Sequence, residues 1–136
     1  MGGYLRPDPS GTLHEISALG LAHIGDAVFE LMVRTWLCMG GTLTAKRMHG
    51  GAVEFVSAKA QAASAQRILP QLSEEETAVF KRGRNAHVNS VPSGSSHEEY
   101  HIATGIEALF GYLYLGGQSD RLEELFEMIV GARSLD

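Results

Sequence analysis

The sequence has one cysteine, few aromatic residues and no long apolar run. Its single thiol, Cys38, cannot form an internal disulfide or a cysteine zinc cluster, and this suits a reducing cytoplasm. No apolar stretch approaches the roughly 20 residues that a helix needs to cross a bilayer, and the N-terminus lacks the basic and apolar regions of a secretory signal. We therefore expect a cytoplasmic protein with no membrane association.

Several well-known motifs are also missing. The six histidines show no zinc-type spacing such as HExxH, and the paired glycines at 40–41 and 50–51 lack the surrounding pattern of a phosphate-binding loop. The net charge of -5 argues weakly against a general affinity for polyanions. A local basic cluster decides such contacts, however, rather than the total charge.

What is present is a helical pattern. The 136 residues, 44% hydrophobic and 20% charged, fit one domain that can bury a core. Apolar residues follow helical spacing nearly throughout, and no convincing strand alternation occurs. We predict an all-α helical bundle that forms a single domain over residues 1–136.

Local signals predict the ends of the first helices. A long helix should run from about residue 13 or 17 to Gly40-Gly41, where glycine ends it. Thr44 should cap a short helix that Gly50-Gly51 ends. A single alanine-rich helix should follow and close at Pro70.

Similar signals mark the second half of the chain. Ser73 and Glu76 have the spacing of a capping box, which predicts a helix to about residue 85. A polar loop should occupy residues 87–97. The next helix should start at about residue 98 and end at Gly116-Gly117, and Ser119 should cap the last one.

The stretch TGIEALFGYLYL contains one charged residue, Glu107. At about 100° per residue, Glu107 lies off the apolar stripe of its helix, and its neighbours Ala103, Thr104 and Gly111 carry no charge. Because the helix is apolar on almost every side, we expect it to be central and buried. A lone carboxylate there costs on the order of several kcal/mol unless something pairs with it.

Asp26 is a second acid in an apolar helix, within LAHIGDAVFELMV. If the two helices pack together, Asp26 and Glu107 would face each other, and two carboxylates in contact repel unless a cation lies between them. Oxygen-only ligands suit Mg²⁺, with Mn²⁺ as a substitute. The two acids therefore indicate a metal site.

Spacing alone leaves a plainer alternative open. Asp26 could pair with Arg34 or His23, and Glu107 with a distant arginine, in a helical dimerisation module without catalytic function.

The densest basic run is FKRGRNAH, which ends one predicted helix and opens the polar loop. Cations at a helix C-terminus are ordinary partners of the helix dipole, which is the structural alternative. As a phosphate-binding patch, the run would offer Lys81, Arg82, Arg84 and Asn85 to a nucleic-acid backbone, with Lys59 as a further contact. No aromatic residue is interleaved among the cations, so we expect recognition of a duplex rather than base stacking.

Several of these segments resemble the signatures of a known family. LAHIGDAVFE resembles the ribonuclease III motif in which a Leu-Gly-Asp-Ser/Ala-Val core carries a metal-binding aspartate, and TGIEALFGYLYL resembles that family's second acidic segment. VSAKAQA and FKRGRNA are similar to segments of the mini-ribonuclease III subfamily, whose short members carry only the catalytic domain. The resemblance spans about residues 19–117.

The resemblance implies an endoribonuclease that acts as a homodimer on double-stranded RNA. Asp26 and Glu107 match the family's aspartate and glutamate, so both would bind Mg²⁺ and serve in catalysis. The metal would activate a water for attack on a phosphodiester, which leaves 5′-phosphate and 3′-hydroxyl ends. Subfamily members mature the large-subunit (23S) ribosomal RNA precursor with the help of a ribosomal protein, and we expect the same substrate here.

The chain departs from the larger ribonuclease III pattern at three points. Ala22 and Thr104 stand where that pattern has further acids, and the segment after Gly117 is too short for a double-stranded-RNA-binding domain. The losses support a rival hypothesis, a non-catalytic RNA-binding or ribosome-assembly protein of the same fold. Retention of Asp26 and Glu107 in apolar helices favours the enzyme, since a catalytically dead domain has no reason to bear that burial cost.

Overall fold

Six α-helices and two short 3-10 turns account for the secondary structure of the described residues. The computed structural model describes residues 2–8, 11–86 and 96–131, so most of the predicted polar loop at 87–97 lies outside them. No described residue forms a β-strand, and the all-α prediction is confirmed. None of the helices in this part of the chain has the length and apolar character needed to span a bilayer. The helices are α1 (Ala18–Met39), α2 (Ala45–Val56), α3 (Ala58–Ile68), α4 (Glu74–Arg84), α5 (His97–Leu115) and α6 (Ser119–Val130), and the 3-10 turns are Gly11–Glu15 and Leu69–Gln71.

Helix α5 is the centre of the bundle. It packs against α1, α4, α3 and α6, and most extensively against α1. Residues 103–113 are buried except Glu107, which is partly exposed, so the prediction of a central, buried helix is confirmed. An aromatic cluster joins α5 to its neighbours: the Phe29 ring lies 5.3 Å from the Phe110 ring and 6.1 Å from the Phe126 ring. Both pairs meet edge to face, as the charge distribution of aromatic rings favours.

Polar caps begin several helices where the sequence predicts them. The Ser73 hydroxyl accepts from the Glu76 amide at 3.1 Å, and the Glu76 carboxylate accepts from the Ser73 amide at 2.9 Å, which completes the predicted capping box. Thr44 caps α2, also as predicted. A second capping box, formed by Ser96 and Glu99, begins α5.

The predicted boundary between α2 and α3 is wrong. Helix α2 does not end at Gly50-Gly51 but continues to Val56. Burial of Phe55, whose ring also contacts Trp36 of α1, outweighs a propensity cost of about 1 kcal/mol per glycine. The chain breaks instead at Ser57, which is extended and caps α3, so the alanine-rich stretch forms two helices rather than one.

The predicted cap of the last helix is also wrong. Ser119 is the first helical residue of α6, and the N-cap is Gln118, whose side chain makes no capping hydrogen bond. The turn before it begins at Gly116, which ends α5 as predicted, and continues through Gly117 at a φ of +73°. That left-handed glycine reverses the chain and fixes where α6 starts.

Candidate active site

Helices α1 and α5 cross backbone to backbone beside the two acids. A Cβ added at Gly25 of α1 would lie 1.6 Å from the carbonyl oxygen of Glu107, and one added at Gly111 of α5 would lie 2.0 Å from the carbonyl oxygen of Leu21. Atoms cannot come so close, so this crossing requires glycine on both helices. Because Asp26 directly follows Gly25, the crossing also sets the separation of the two acids.

The side chains of Asp26 and Glu107 meet at this crossing. They lie close enough for a shared proton to form a hydrogen bond between them. Asp26 is exposed, whereas Glu107 is largely buried. Burial and, after it, the adjacent Asp26 carboxylate raise the pKa of Glu107 from 4.5 to about 8, because both disfavour a negative charge there. The fold thus brings together the two acids that the sequence singles out.

Neither acid has a cationic partner within the described part of the chain. The ion pair on α1 joins Arg34 to Glu30 at 2.7 Å, and the others involve acids of α4 and α6. The alternative in which Asp26 pairs with Arg34 is therefore wrong, because Arg34 binds the acid one turn further along its own helix. His23 is exposed and forms no ion pair among these residues.

The donor atoms fit a hard divalent cation. Asp26 and Glu107 offer oxygens only, and a cation between them would offset both the burial and the repulsion that raise the pKa of Glu107. Across residues 2–8, 11–86 and 96–131, no group of three or more Asp, Glu, His or Cys side chains could hold a metal. Two carboxylates would leave the rest of an octahedral shell to waters and phosphate oxygens, which is how Mg²⁺ usually binds.

The sequence interpretation misses a third residue of this site, Gln61 of α3. Its side chain is 1% exposed, and Nε2 donates to Glu107 Oε2 at 3.4 Å and to the carbonyl oxygen of Val56 at 3.0 Å. Burial and Asp26 raise the pKa of Glu107, and this hydrogen bond opposes them. Gln61 lies in VSAKAQA, which carries part of the resemblance, but nothing in its spacing marks it as buried.

Buried side chains fill the two positions where the larger ribonuclease III pattern has further acids. Ala22 is 7% exposed. Thr104 is 5% exposed, and its hydroxyl donates to the carbonyl oxygen of Tyr100 in the preceding turn at 2.9 Å. Neither side chain carries a charge, so of these four positions only 26 and 107 hold a carboxylate.

The predicted RNA-binding cations lie on two helices. Lys81 and Arg82 are exposed on the last turn of α4, and Lys59 is exposed near the start of α3. In the described residues, no ion pair occupies any of these three cations. They are therefore available to a polyanion.

The other two predicted contacts are engaged with their own helix. The Arg84 guanidinium lies 5.8 Å from the centre of the Phe80 ring, and its Nε donates to Asn85 Oδ1 at 3.2 Å. Asn85 is the C-cap of α4. His87, at the end of the basic run, lies outside the described residues.

A second glycine crossing connects the basic run to the acids. A Cβ added at Gly83 would lie 2.6 Å from Ala108 Cβ and 3.0 Å from Gly105 Cα. Gly105 lies two residues before Glu107. The last turn of α4 therefore packs tightly on the part of α5 that carries the buried acid.

Comparisons with known proteins find similar sequences over most of this chain. A model of the ribonuclease III domain matches residues 19–118. A Mini-ribonuclease 3 of Thermoanaerobacter sp. (strain X514) is 45% identical over 85% of this chain and 81% of its own length. One of Symbiobacterium thermophilum is 43% identical over 80% of this chain and 84% of its own length.

A solved structure also shares the fold. The crystal structure of a protein from Fusobacterium nucleatum superposes with a TM-score of 0.82 at 27% identity, and it covers 91% of this chain and 95% of its own. The chain therefore belongs to the ribonuclease III family, a family of endoribonucleases, and within it to the mini-ribonuclease III group.

Proposed function

We propose that this protein is a magnesium-dependent endoribonuclease that cleaves double-stranded RNA, with Asp26 and Glu107 as its metal ligands and catalytic residues. One observation carries the proposal: two carboxylates meet at a helix crossing, and no cationic side chain of residues 2–8, 11–86 or 96–131 forms an ion pair with either of them. A fold maintains such a repulsive pair when a ligand of opposite charge compensates for it. Mn²⁺, which prefers similar ligands, would substitute for Mg²⁺.

The two acids have different tasks in this proposal. Glu107, largely buried in the bundle, would provide a fixed anchor for the metal, while Asp26, which is exposed to solvent, would be reached by RNA and water. When bound, Mg²⁺ polarises a water for attack on the phosphodiester and stabilises the departing 3′ oxygen. The products would carry 5′-phosphate ends.

The exposed cations bind the RNA backbone. Phosphates can contact three exposed cations, Lys81, Arg82 and Lys59. The end of α4, which carries Lys81 and Arg82, is held by Arg84 and Asn85. Because the whole chain has a charge of -5, binding depends on these exposed cations rather than on the total charge. Contacts to phosphates alone suit a duplex recognised by its shape.

A homodimer would place two such patches along one duplex. An apolar groove of about 420 Å³ between α1 and α6 supports self-association. Leu31, 57% exposed, lines this groove with Ile24 and Val28 of α1 and Leu122 of α6. An exposed apolar surface of this kind is typical of a protein contact.

The biological substrate in this proposal is the large-subunit (23S) ribosomal RNA precursor, cut in the cytoplasm with the help of a ribosomal protein. Similarity to proteins named Mini-ribonuclease 3 supports this assignment. The described helices would act together as one catalytic domain.

The experiment is cleavage of a long double-stranded RNA with Mg²⁺ by the wild type and by Asp26→Asn and Glu107→Gln. Asp120→Asn, which neutralises an exposed acid of α6, is the matched control. We expect cutting by the wild type and the control, and none by the two site variants or in EDTA. If no protein cuts but all retain RNA in a gel shift, the non-catalytic RNA-binding or ribosome-assembly function replaces this proposal.

A further inference from the structure

Gln61 is a buried polar side chain whose position links three helices. It lies on α3, 46 residues before Glu107, and its side-chain nitrogen bridges the Glu107 carboxylate of α5 and the Val56 carbonyl at the end of α2. The Val56 carbonyl is free to accept because the chain breaks at Ser57. An amide nitrogen has two protons, so these two acceptors use both of them.

The orientation of this amide is fixed by its surroundings. Reversing it would set Gln61 Oε1 against the Val56 carbonyl oxygen, an acceptor that carries no proton, and would break the 3.0 Å hydrogen bond between them. The nitrogen must therefore face Glu107. Anchored to a backbone carbonyl, it holds one carboxylate oxygen of Glu107 in place.

The other end of the amide argues against a purely structural role. Gln61 Oε1 is buried and has no hydrogen-bond partner among the described residues. An unpaired buried oxygen destabilises the fold, and an apolar side chain of similar length would fill the space without it. The function of a glutamine at this position therefore lies in the hydrogen bonds that its side-chain nitrogen donates.

We propose that Gln61 is a positioning residue for the metal site, whose amide holds the Glu107 carboxylate in the orientation that faces Asp26. The inference rests on the proposed function, because it gives Gln61 a role only if the two acids bind a cation. Partners of this kind, which touch a metal ligand rather than the metal, typically change metal affinity 10- to 100-fold when removed.

The test is calorimetric titration of the RNA-free, full-length protein with Mn²⁺, comparing wild type, Gln61→Met and Ser64→Ala. Methionine has the length of glutamine but no donor. Ser64 is the matched control, because it is a buried polar residue of the same helix whose hydroxyl donates to Ala60 of its own helix. We expect Mn²⁺ affinity to fall at least about 10-fold in Gln61→Met and to stay within about 2-fold in Ser64→Ala, with the melting temperature of Gln61→Met no lower than that of the control.

Cleavage assays add a second readout. Raising Mg²⁺ should restore the kcat of Gln61→Met, with the KM for RNA unchanged, because the defect lies in metal occupancy. If Gln61→Met does not give a wild-type circular dichroism spectrum, Gln61→Leu replaces it with the same expectation.

Each outcome separates the two proposals. Wild-type Mn²⁺ affinity in a folded Gln61 variant, while Asp26→Asn and Glu107→Gln lose binding, would overturn the role of Gln61 and leave the metal site standing. Absence of Mn²⁺ binding by the wild type would overturn both.

Discussion

The α carbon of Gly25 lies directly against the carbonyl oxygen of Glu107, so that a Cβ at position 25 would come within 1.6 Å of it. One acid of the site follows this glycine and the other provides the carbonyl. The separation of Asp26 and Glu107 is therefore set by contact between two helix backbones rather than by a loop. Such a contact positions side chains rigidly, as the proposed metal site requires.

Gly25→Ala should disrupt both the fold and the site. The added methyl forces α1 away from α5, and we expect a loss of about 3 kcal/mol in the free energy of unfolding, at the upper end for overpacking because the neighbour is backbone. Gly50→Ala is the control, since a Cβ there meets nothing within 4 Å and the residue lies inside α2. Gly50→Ala should raise the free energy of unfolding by roughly 0.5–1 kcal/mol. Urea denaturation measures both, and equal stability of the two variants would contradict the crossing described above.

Glu107→Gln should stabilise the metal-free protein at alkaline pH. A glutamate of the unfolded chain ionises near 4.5, whereas the folded-state pKa of Glu107 is about 8. Between these values the folded state binds one more proton, so wild-type stability is greatest below the lower pKa and falls as pH rises through the higher one. Glutamine cannot ionise and escapes this loss.

At pH 8.5 we expect Glu107→Gln to raise the free energy of unfolding by on the order of 2 kcal/mol. This is less than the full pKa shift of Glu107 would give, because its side chain is partly exposed. At pH near 4.5 the gain should vanish. Urea denaturation in EDTA at several pH values measures it, with Glu123→Gln, an exposed acid of α6, as the control. A gain that is the same at every pH would show that repulsion and burial of the Glu107 charge are not its cause.

Arg121→Met should destabilise the protein by about 2–3 kcal/mol at neutral pH. The Arg121 guanidinium donates to both Glu76 oxygens, at 2.8 and 2.9 Å, and to the Gln71 carbonyl at 2.8 Å, which ties α6 to the start of α4. This pairing lowers the pKa of Glu76, so its contribution is present at neutral pH and is lost as pH falls through the folded-state pKa.

Urea denaturation of Arg121→Met at neutral and acidic pH checks this prediction. The difference from wild type should shrink in acid, where Glu76 is protonated in both proteins. Glu124→Gln, which removes the exposed partner of Arg121, should change stability by less than about 0.5 kcal/mol. A larger effect for Glu124→Gln than for Arg121→Met would refute the assignment of the buried pair.

Sequence signals predicted those parts of the fold that depend on neighbouring residues. The Ser73 capping box and the glycine that ends α5 are local, because a few adjacent residues determine them. Gly50-Gly51 failed as a helix end because the decisive interaction, burial of Phe55 against α1, joins distant parts of the chain. The helix propensities of neighbouring residues carry no information about such a contact.

The same distinction applies to the site. An acid in an apolar helix is visible in the sequence, so Asp26 and Glu107 could be singled out and a metal site between them predicted, and the resemblance matched both to the family's acids. Gln61 could not, because a glutamine among alanines is as compatible with a solvated helix face as with a buried one. Its role follows from the break at Ser57, which the sequence interpretation misplaced.

Replacing Lys81 and Arg82 together by alanine should weaken binding of double-stranded RNA without abolishing chemistry. Both side chains are exposed, and each lost phosphate contact should reduce the slope of log affinity against log salt by about 1. We expect binding on the order of 10-fold weaker at moderate salt, and a raised KM with a kcat close to wild type.

Gel shifts over a range of salt concentrations measure this effect, in a Glu107→Gln background so that the RNA stays intact. Arg34→Ala is the matched control, because the charge of Arg34 is already paired with Glu30. An unchanged salt slope for the double variant would mean that these cations serve the helix dipole of α4 alone. In that case RNA affinity must come from another surface. The role of the two acids would still be tested separately, by measuring the kcat of Asp26→Asn.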